Sequence, residues 1–186
     1  DGAAGEVVCV AIEDLKLKMR VWKRDYREAG SEAAMLEEVF SFIKSAEKPT
    51  YLCGHNTTGF DIPFLRQRAF VLGLEMPACM YALKKPWEAT LDDTMLQWTG
   101  GASGKLISLD RLCRAFGIPG KGELDGSGVW DAVQAGRIDE VADYCAADVV
   151  RARKCHGRMV LACRERIPME LRQLEEPFAQ AQGVAE

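Results

Sequence analysis

The stretch Tyr51-Leu52-Cys53-Gly54-His55-Asn56-Thr57-Thr58-Gly59-Phe60-Asp61 passes from a short apolar run into residues that form turns. Tyr51-Leu52-Cys53 reads as a short strand, and the Asn, Thr and Gly residues after it supply the turn. Ile62, Leu65, Phe70 and Leu72 then recur at helical spacing up to Gly73, which predicts a helix ending there. A strand feeding a helix is a unit of α/β architecture, and such folds place ligands at the C-terminal edge of their strands. Asp61 stands at that edge. Taken alone it is either the N-cap of the following helix or a carboxylate that serves a ligand.

Upstream, Val7-Val8-Cys9-Val10-Ala11-Ile12 is an apolar, β-branched run and predicts a buried strand. Leu15, Leu17, Met19 and Val21 alternate with Lys16, Lys18, Arg20 and Trp22, the pattern of a half-exposed second hairpin arm. Ser31 is a good N-cap for a helix carrying Leu36, Val39, Phe40 and Ile43, ended by Lys48-Pro49. Downstream, a strand or short helix lies near residues 91–98. Ser108 caps a helix of Leu109, Leu112 and Phe116 that stops at Gly117, and a turn-rich loop runs from there to Gly128. A long helix begins near Ile138, its apolar stripe formed by Ile138, Val141, Cys145, Val149, Ala152 and Met159. Pro168 breaks that pattern. The chain therefore reads as one domain over residues 1–186, with a core at about 7–163 and a tail over 164–186.

The 186 residues are 48% hydrophobic and 28% charged, enough to bury one sizeable core and incompatible with disorder or a disulfide-stapled miniprotein. A net charge of −4 excludes a generally basic nucleic-acid binder, so any contact with nucleic acid is local or bridged by divalent cations. The small basic clusters, Arg66 with Arg68, Lys84 with Lys85, and Arg151, Arg153, Lys154 and Arg158, read as solvated faces. No apolar run is long enough to span a bilayer. Seven cysteines without a CxxC pair read as reduced thiols, which places the protein in the cytoplasm. His55 and Cys53 have no distant partner pair for zinc, and His156 reads as a packed histidine. Cys155 lacks the acid and base that thiol catalysis needs.

The second informative stretch is Tyr144-Cys145-Ala146-Ala147-Asp148 on the long helix. Residues i and i+4 share a helix face, so Tyr144 and Asp148 point the same way, at the border of the apolar stripe. An acid there is an exposed flank residue or a partly buried carboxylate that needs a cation.

Together the two stretches resemble the second and third motifs of the DEDDy 3′–5′ exonucleases. Asn56…Phe60-Asp61 matches the second motif and Tyr144…Asp148 the third. The wording of "GHNTTGFDIPFLRQRA", "SLDRLCRAFGIPGK" and "YCAADVVRAR" is similar to predicted exonucleases related to the proofreading domain of family-B DNA polymerases. The likeness runs from Val7 to about Met159 in family order. It implies a ribonuclease-H-like α/β fold, a mixed sheet flanked by helices. It also implies hydrolysis of phosphodiester bonds at 3′ ends of single-stranded or frayed DNA, with RNA as a further substrate, by a pair of Mg²⁺ or Mn²⁺ ions. Carried over by position, Asp148 and Asp61 are metal ligands, Tyr144 orients the attacking water, and Asn56 and Phe60 shape the pocket of the terminal nucleotide. The partner is nucleic acid rather than a membrane.

One departure stands beside the likeness. The family's first motif, Asp-x-Glu, lies on a strand before Val7–Ile12, and no such pair occurs in this sequence. Asp92 and Asp93 read equally as site or loop residues. The expectation is therefore an upstream strand carrying the motif. The alternative is a non-catalytic nucleic-acid-binding or assembly module that has lost it.

Overall fold

The computed structural model describes residues 2–46, 50–81, 91–101, 106–120 and 126–162. The expectations for Lys48-Pro49, Lys84 with Lys85, Pro168 and the 164–186 tail lie outside those residues. β1 (Cys9–Glu13) and β2 (Met19–Lys23) form an antiparallel hairpin in a register from Cys9↔Lys23 to Glu13↔Met19. Asp14 builds its turn, its carboxylate accepting the N–H groups of Lys16 at 2.8 Å and Lys18 at 3.0 Å. β1 starts two residues later than the apolar run, whose Val7 N–H is taken by Glu32 at 2.8 Å.

α1 (Ser31–Ser45) buries Leu36, Val39, Phe40 and Ile43, the stripe that its sequence displays. Ser31 is not its N-cap. Gly30 holds that position at φ 75°, and the Ser31 hydroxyl donates instead to the Glu28 carbonyl at 2.6 Å. Next comes the strand-to-helix unit: β3 (Leu52–Gly54), a π-helical turn over Thr57–Asp61, and α2 (Ile62–Leu72), closed by Gly73 at φ 68°. β4 (Leu91–Asp93) lies parallel to β3, pairing Leu52↔Leu91, Cys53↔Asp92 and Gly54↔Asp93. Parallel strands need a crossover, and α2 lies on that path. Both readings of residues 91–98 hold, since α3 (Thr94–Thr99) follows β4 at once.

The four described strands form an antiparallel pair, β1–β2, and a parallel pair, β3–β4, the mixed α/β arrangement expected from the sequence. Among the described residues, the second edge of β1 and the second edge of β3 carry no ladder. That is where the resemblance puts a central strand.

α4 (Leu109–Ala115) is capped as expected, the Ser108 hydroxyl accepting the Arg111 N–H at 3.3 Å. α5 (Val129–Gln134) was hidden behind the turn-rich loop, being six residues long. α6 (Ile138–Ala162) is the long final helix. It packs on β1, β2 and β3 and touches α3, α4 and α5, so it joins the two sheets. Leu112, Cys113, Ala152 and Cys155 form a core between α4 and α6, and Ala132, Val133 and Val141 one between α5 and α6. The largest core gathers α1, α2 and β1 around Leu36, Val39, Phe40 and Ile62.

A buried ionic network ties that core together. Arg68 grips Glu32 with two bonds, at 2.9 and 2.6 Å, and donates to the Gly2 carbonyl at 2.8 Å. Arg68 thus belongs to the interior, not to a solvated basic face. An alternating pattern cannot reveal this, because a long cation and a carboxylate 36 residues apart satisfy each other only in the fold.

Candidate active site

The turn after β3 is shaped by backbone requirements. Asn56 adopts φ 59° and ψ 20°, a left-handed conformation that Asn tolerates better than most residues. Gly54 has no room for a side chain, since a Cβ there would lie 1.8 Å from the Thr57 hydroxyl oxygen. His55 pins the turn from the side. Its Nε2–H donates to the Ile107 carbonyl at 2.9 Å, and its Nδ1 meets the Thr94 hydroxyl at 2.9 Å.

Asp93 holds the turn from β4. Its carboxylate accepts the Asn56 and Thr58 N–H groups, each at 2.9 Å, and the Thr58 hydroxyl at 2.7 Å. It also N-caps α3 through the Met95 N–H at 2.9 Å. Asp93 is 3% exposed, and burial opposes its ionisation. The bonds from Thr58, Asn56 and Met95 outweigh that and hold its pKa below the usual value. Sequence reasoning left Asp93 between site and loop. It fastens the turn that ends in Asp61.

Asp61 closes the turn. Its side chain does not cap α2, so the capping reading fails. The residue is exposed, yet protein atoms crowd its carboxyl, and this desolvation, with the charge of Asp93 adding, pushes its pKa up to about 6. The bond from its own N–H works in the opposite direction. The shift comes from crowding and from Asp93, not from a charge on Asp148. Phe60 beside it is 60% exposed and stacks on Phe64 with ring centroids 5.9 Å apart.

On α6, Tyr144 and Asp148 are half-buried, one turn apart. Asp148 is a partly buried carboxylate with a cation, as one of its two readings required: Arg151 donates to it at 2.7 Å. Arg151 is therefore no solvated-face residue. Arg153 likewise pairs with Glu13 at the end of β1, at 2.5 Å. Between Tyr144 and Asp148 lies Cys145, whose thiol is held below its ordinary value, chiefly by a hydrogen bond from Cys9. Burial and the charges of Asp61 and Asp148 push that thiol the other way.

A second cluster escaped the sequence. Cys53 and Asp92 are register partners across β3 and β4, and His156 of α6 meets Asp92 at 2.8 Å. His156 is thus hydrogen-bonded to Asp92 and not simply packed. The only sequence signal was the shared position of Cys53 and Asp92 on two parallel strands, and their register is not readable from spacing.

In an α/β domain the C-terminal ends of parallel strands are where ligands bind, and Asp93 and the turn leading to Asp61 stand there. The chain belongs to the family of predicted 3′–5′ exonucleases related to the exonuclease domain of PolB, whose family model matches residues 5–167. Among solved structures it is similar to the family B DNA polymerase from the hyperthermophilic archaeon Pyrobaculum calidifontis, with a TM-score of 0.65 and 20% identity over 87% of this chain. The chain spans 22% of that polymerase, and the likeness concerns the fold alone. No curated protein matches the chain. No described helix is long and apolar enough to cross a membrane.

Proposed function

We propose that the protein removes nucleotides from 3′ ends of single-stranded or frayed DNA, with Asp61 and Asp148 as ligands of divalent ions. The observation that carries this reading is the family model over residues 5–167, within which Asp61 ends the turn after β3 and Asp148 lies half-buried on α6.

The donor set fits Mg²⁺ or Mn²⁺, which take one or two protein carboxylates and complete their shell with water and substrate phosphate. Such ions, when bound, supply the charge that activates water and stabilises the leaving 3′-oxygen. They also reconcile phosphate binding with a net charge of −4.

The protein's own groups do the positioning. Asp93 fixes the turn, so Asp61 is presented at one place. Asp148 would hold the ion in place of its Arg151 partner, whose guanidinium would then be available to phosphate oxygens. Tyr144, one turn before Asp148, orients the attacking water. Phe60 offers an exposed ring on which the terminal base stacks, and Asn56 shapes the same pocket. The two remaining acids of the family set come, in this reading, from a strand seated between β1 and β3.

The second reading, a non-catalytic nucleic-acid-binding module, is favoured by one observation: Arg151 already neutralises Asp148. The test uses the full product of the gene with 3′-labelled single-stranded DNA and Mn²⁺. Mononucleotide release is expected, lowered roughly 10–10³-fold by Tyr144→Phe and abolished by Asp148→Asn. DNA binding without release supports the second reading, and undiminished release by Asp148→Asn overturns the first.

A further inference from the structure

We infer that Cys53, Asp92 and His156 form a binding site for a zinc-class transition-metal ion. The Cys53 thiol, a carboxylate oxygen of Asp92 and an imidazole nitrogen of His156 lie within 4.8 Å of one another. Each comes from a different element: β3, β4 and α6. The parallel register sets Cys53 directly beside Asp92, so both side chains leave the same face of the pair. His156 reaches Asp92 Oδ2 at 2.8 Å, while Asp92 Oδ1 accepts from the Gln97 amide. That last bond orients the carboxylate and leaves its other oxygen for a ligand.

The geometry is close to what a tetrahedral ion requires. Bond lengths of about 2.0–2.3 Å to nitrogen, oxygen and sulfur put neighbouring donor atoms roughly 3.3–3.7 Å apart. The His156–Asp92 pair has to open by less than about 1 Å and Cys53 to close by about as much, which side-chain rotation provides. Three protein donors leave the fourth position to water or to an outside ligand.

The chemistry of the donors selects the ion. Thiolate and imidazole favour Zn²⁺, Co²⁺ and similar ions over Mg²⁺, which prefers oxygen alone. Binding releases the thiol proton to solvent, shifts the His156 ring proton from Nε2 to Nδ1, and replaces the His156–Asp92 hydrogen bond by two metal bonds. The same ion ties β3 and β4 to α6, so it stabilises the packing of the helix on the parallel pair. The site shares no ligand with Asp61 and Asp148, and it stands or falls independently of the nuclease reading.

Titration of the chain with Zn²⁺, and with Co²⁺ as a spectroscopic probe, tests it. One equivalent of Co²⁺ is expected to bind with a thiolate-to-metal charge-transfer band. Cys53→Ser should remove that band, and His156→Gln should weaken Zn²⁺ binding by at least about tenfold. Asp148→Asn should leave both unchanged. Zn²⁺ should raise the melting temperature of the wild-type chain but not that of Cys53→Ser. Cys53 is exposed, so its replacement by Ser leaves the fold intact, which circular dichroism verifies. Equal Zn²⁺ affinity in wild type and Cys53→Ser, or a band that survives the substitution, overturns the inference, as does the absence of any Zn²⁺ binding.

Discussion

The carboxylate of Asp93 takes two hydrogen bonds from Thr58, one from its backbone N–H at 2.9 Å and one from its hydroxyl at 2.7 Å. Thr58 lies in the turn and Asp93 at the end of β4, so the segment that presents Asp61 is fastened to the neighbouring parallel strand. The turn that ends in Asp61 is thus held by two neighbouring strand ends.

Asp93→Ala strips acceptors from the N–H groups of Asn56, Thr58 and Met95 at once. Leaving such donors unsatisfied costs about 1–3 kcal/mol each where water cannot reach them, so a loss of ~2–4 kcal/mol is expected by chemical denaturation. The fold of α1 and the β1–β2 hairpin should survive, since neither touches this carboxylate.

Arg68→Ala breaks the buried grip on Glu32 and leaves an uncompensated carboxylate inside the protein, at an expected cost of about 3–5 kcal/mol. Glu32 is desolvated, but the Arg68 and Val7 bonds win and hold its pKa below the usual 4.5. A depressed carboxyl pKa stabilises the fold above the unfolded-state value and loses that effect as pH falls through the folded-state value. Asp93 behaves likewise relative to 3.8. Wild-type stability should therefore drop below about pH 4.5, and Arg68→Ala should flatten that drop.

Asp61 has the opposite sign. Its pKa is raised from 3.8 to about 6 in the fold, so the folded state holds the proton more tightly than the unfolded one. Its ionisation opposes folding in full above pH 6, less between 6 and 3.8, and not at all below. Asp61→Asn should therefore raise the metal-free melting temperature at neutral pH and leave it unchanged in acid. A variant that melts lower at neutral pH would contradict this.

The local elements were legible in the sequence because their signals are local. The stripe of Leu36, Val39, Phe40 and Ile43, the cap at Ser108 and the stop at Gly73 each rest on residues within a turn or two of one another. Motif spacing likewise pointed to Asp61, Tyr144 and Asp148 as residues worth placing. What stayed hidden depends on partners far apart in the chain. Arg68 looked solvated because Glu32 lies on another helix, and Arg151 looked decorative because its role depends on the depth of Asp148. Cys53, Asp92 and His156 meet only through the β3–β4 register and the docking of α6.

The central claim is that Asp61 and Asp148 hold a divalent cation together, and Mn²⁺ binding followed by electron paramagnetic resonance tests it most directly. The account predicts weak Mn²⁺ binding by the wild-type chain at neutral pH, fading as the pH falls through about 6 where Asp61 takes up its proton. Binding should be lost in both Asp61→Asn and Asp148→Asn and kept in Cys53→Ser. Mn²⁺ binding that is the same in the wild-type chain and in the two Asn variants would contradict it.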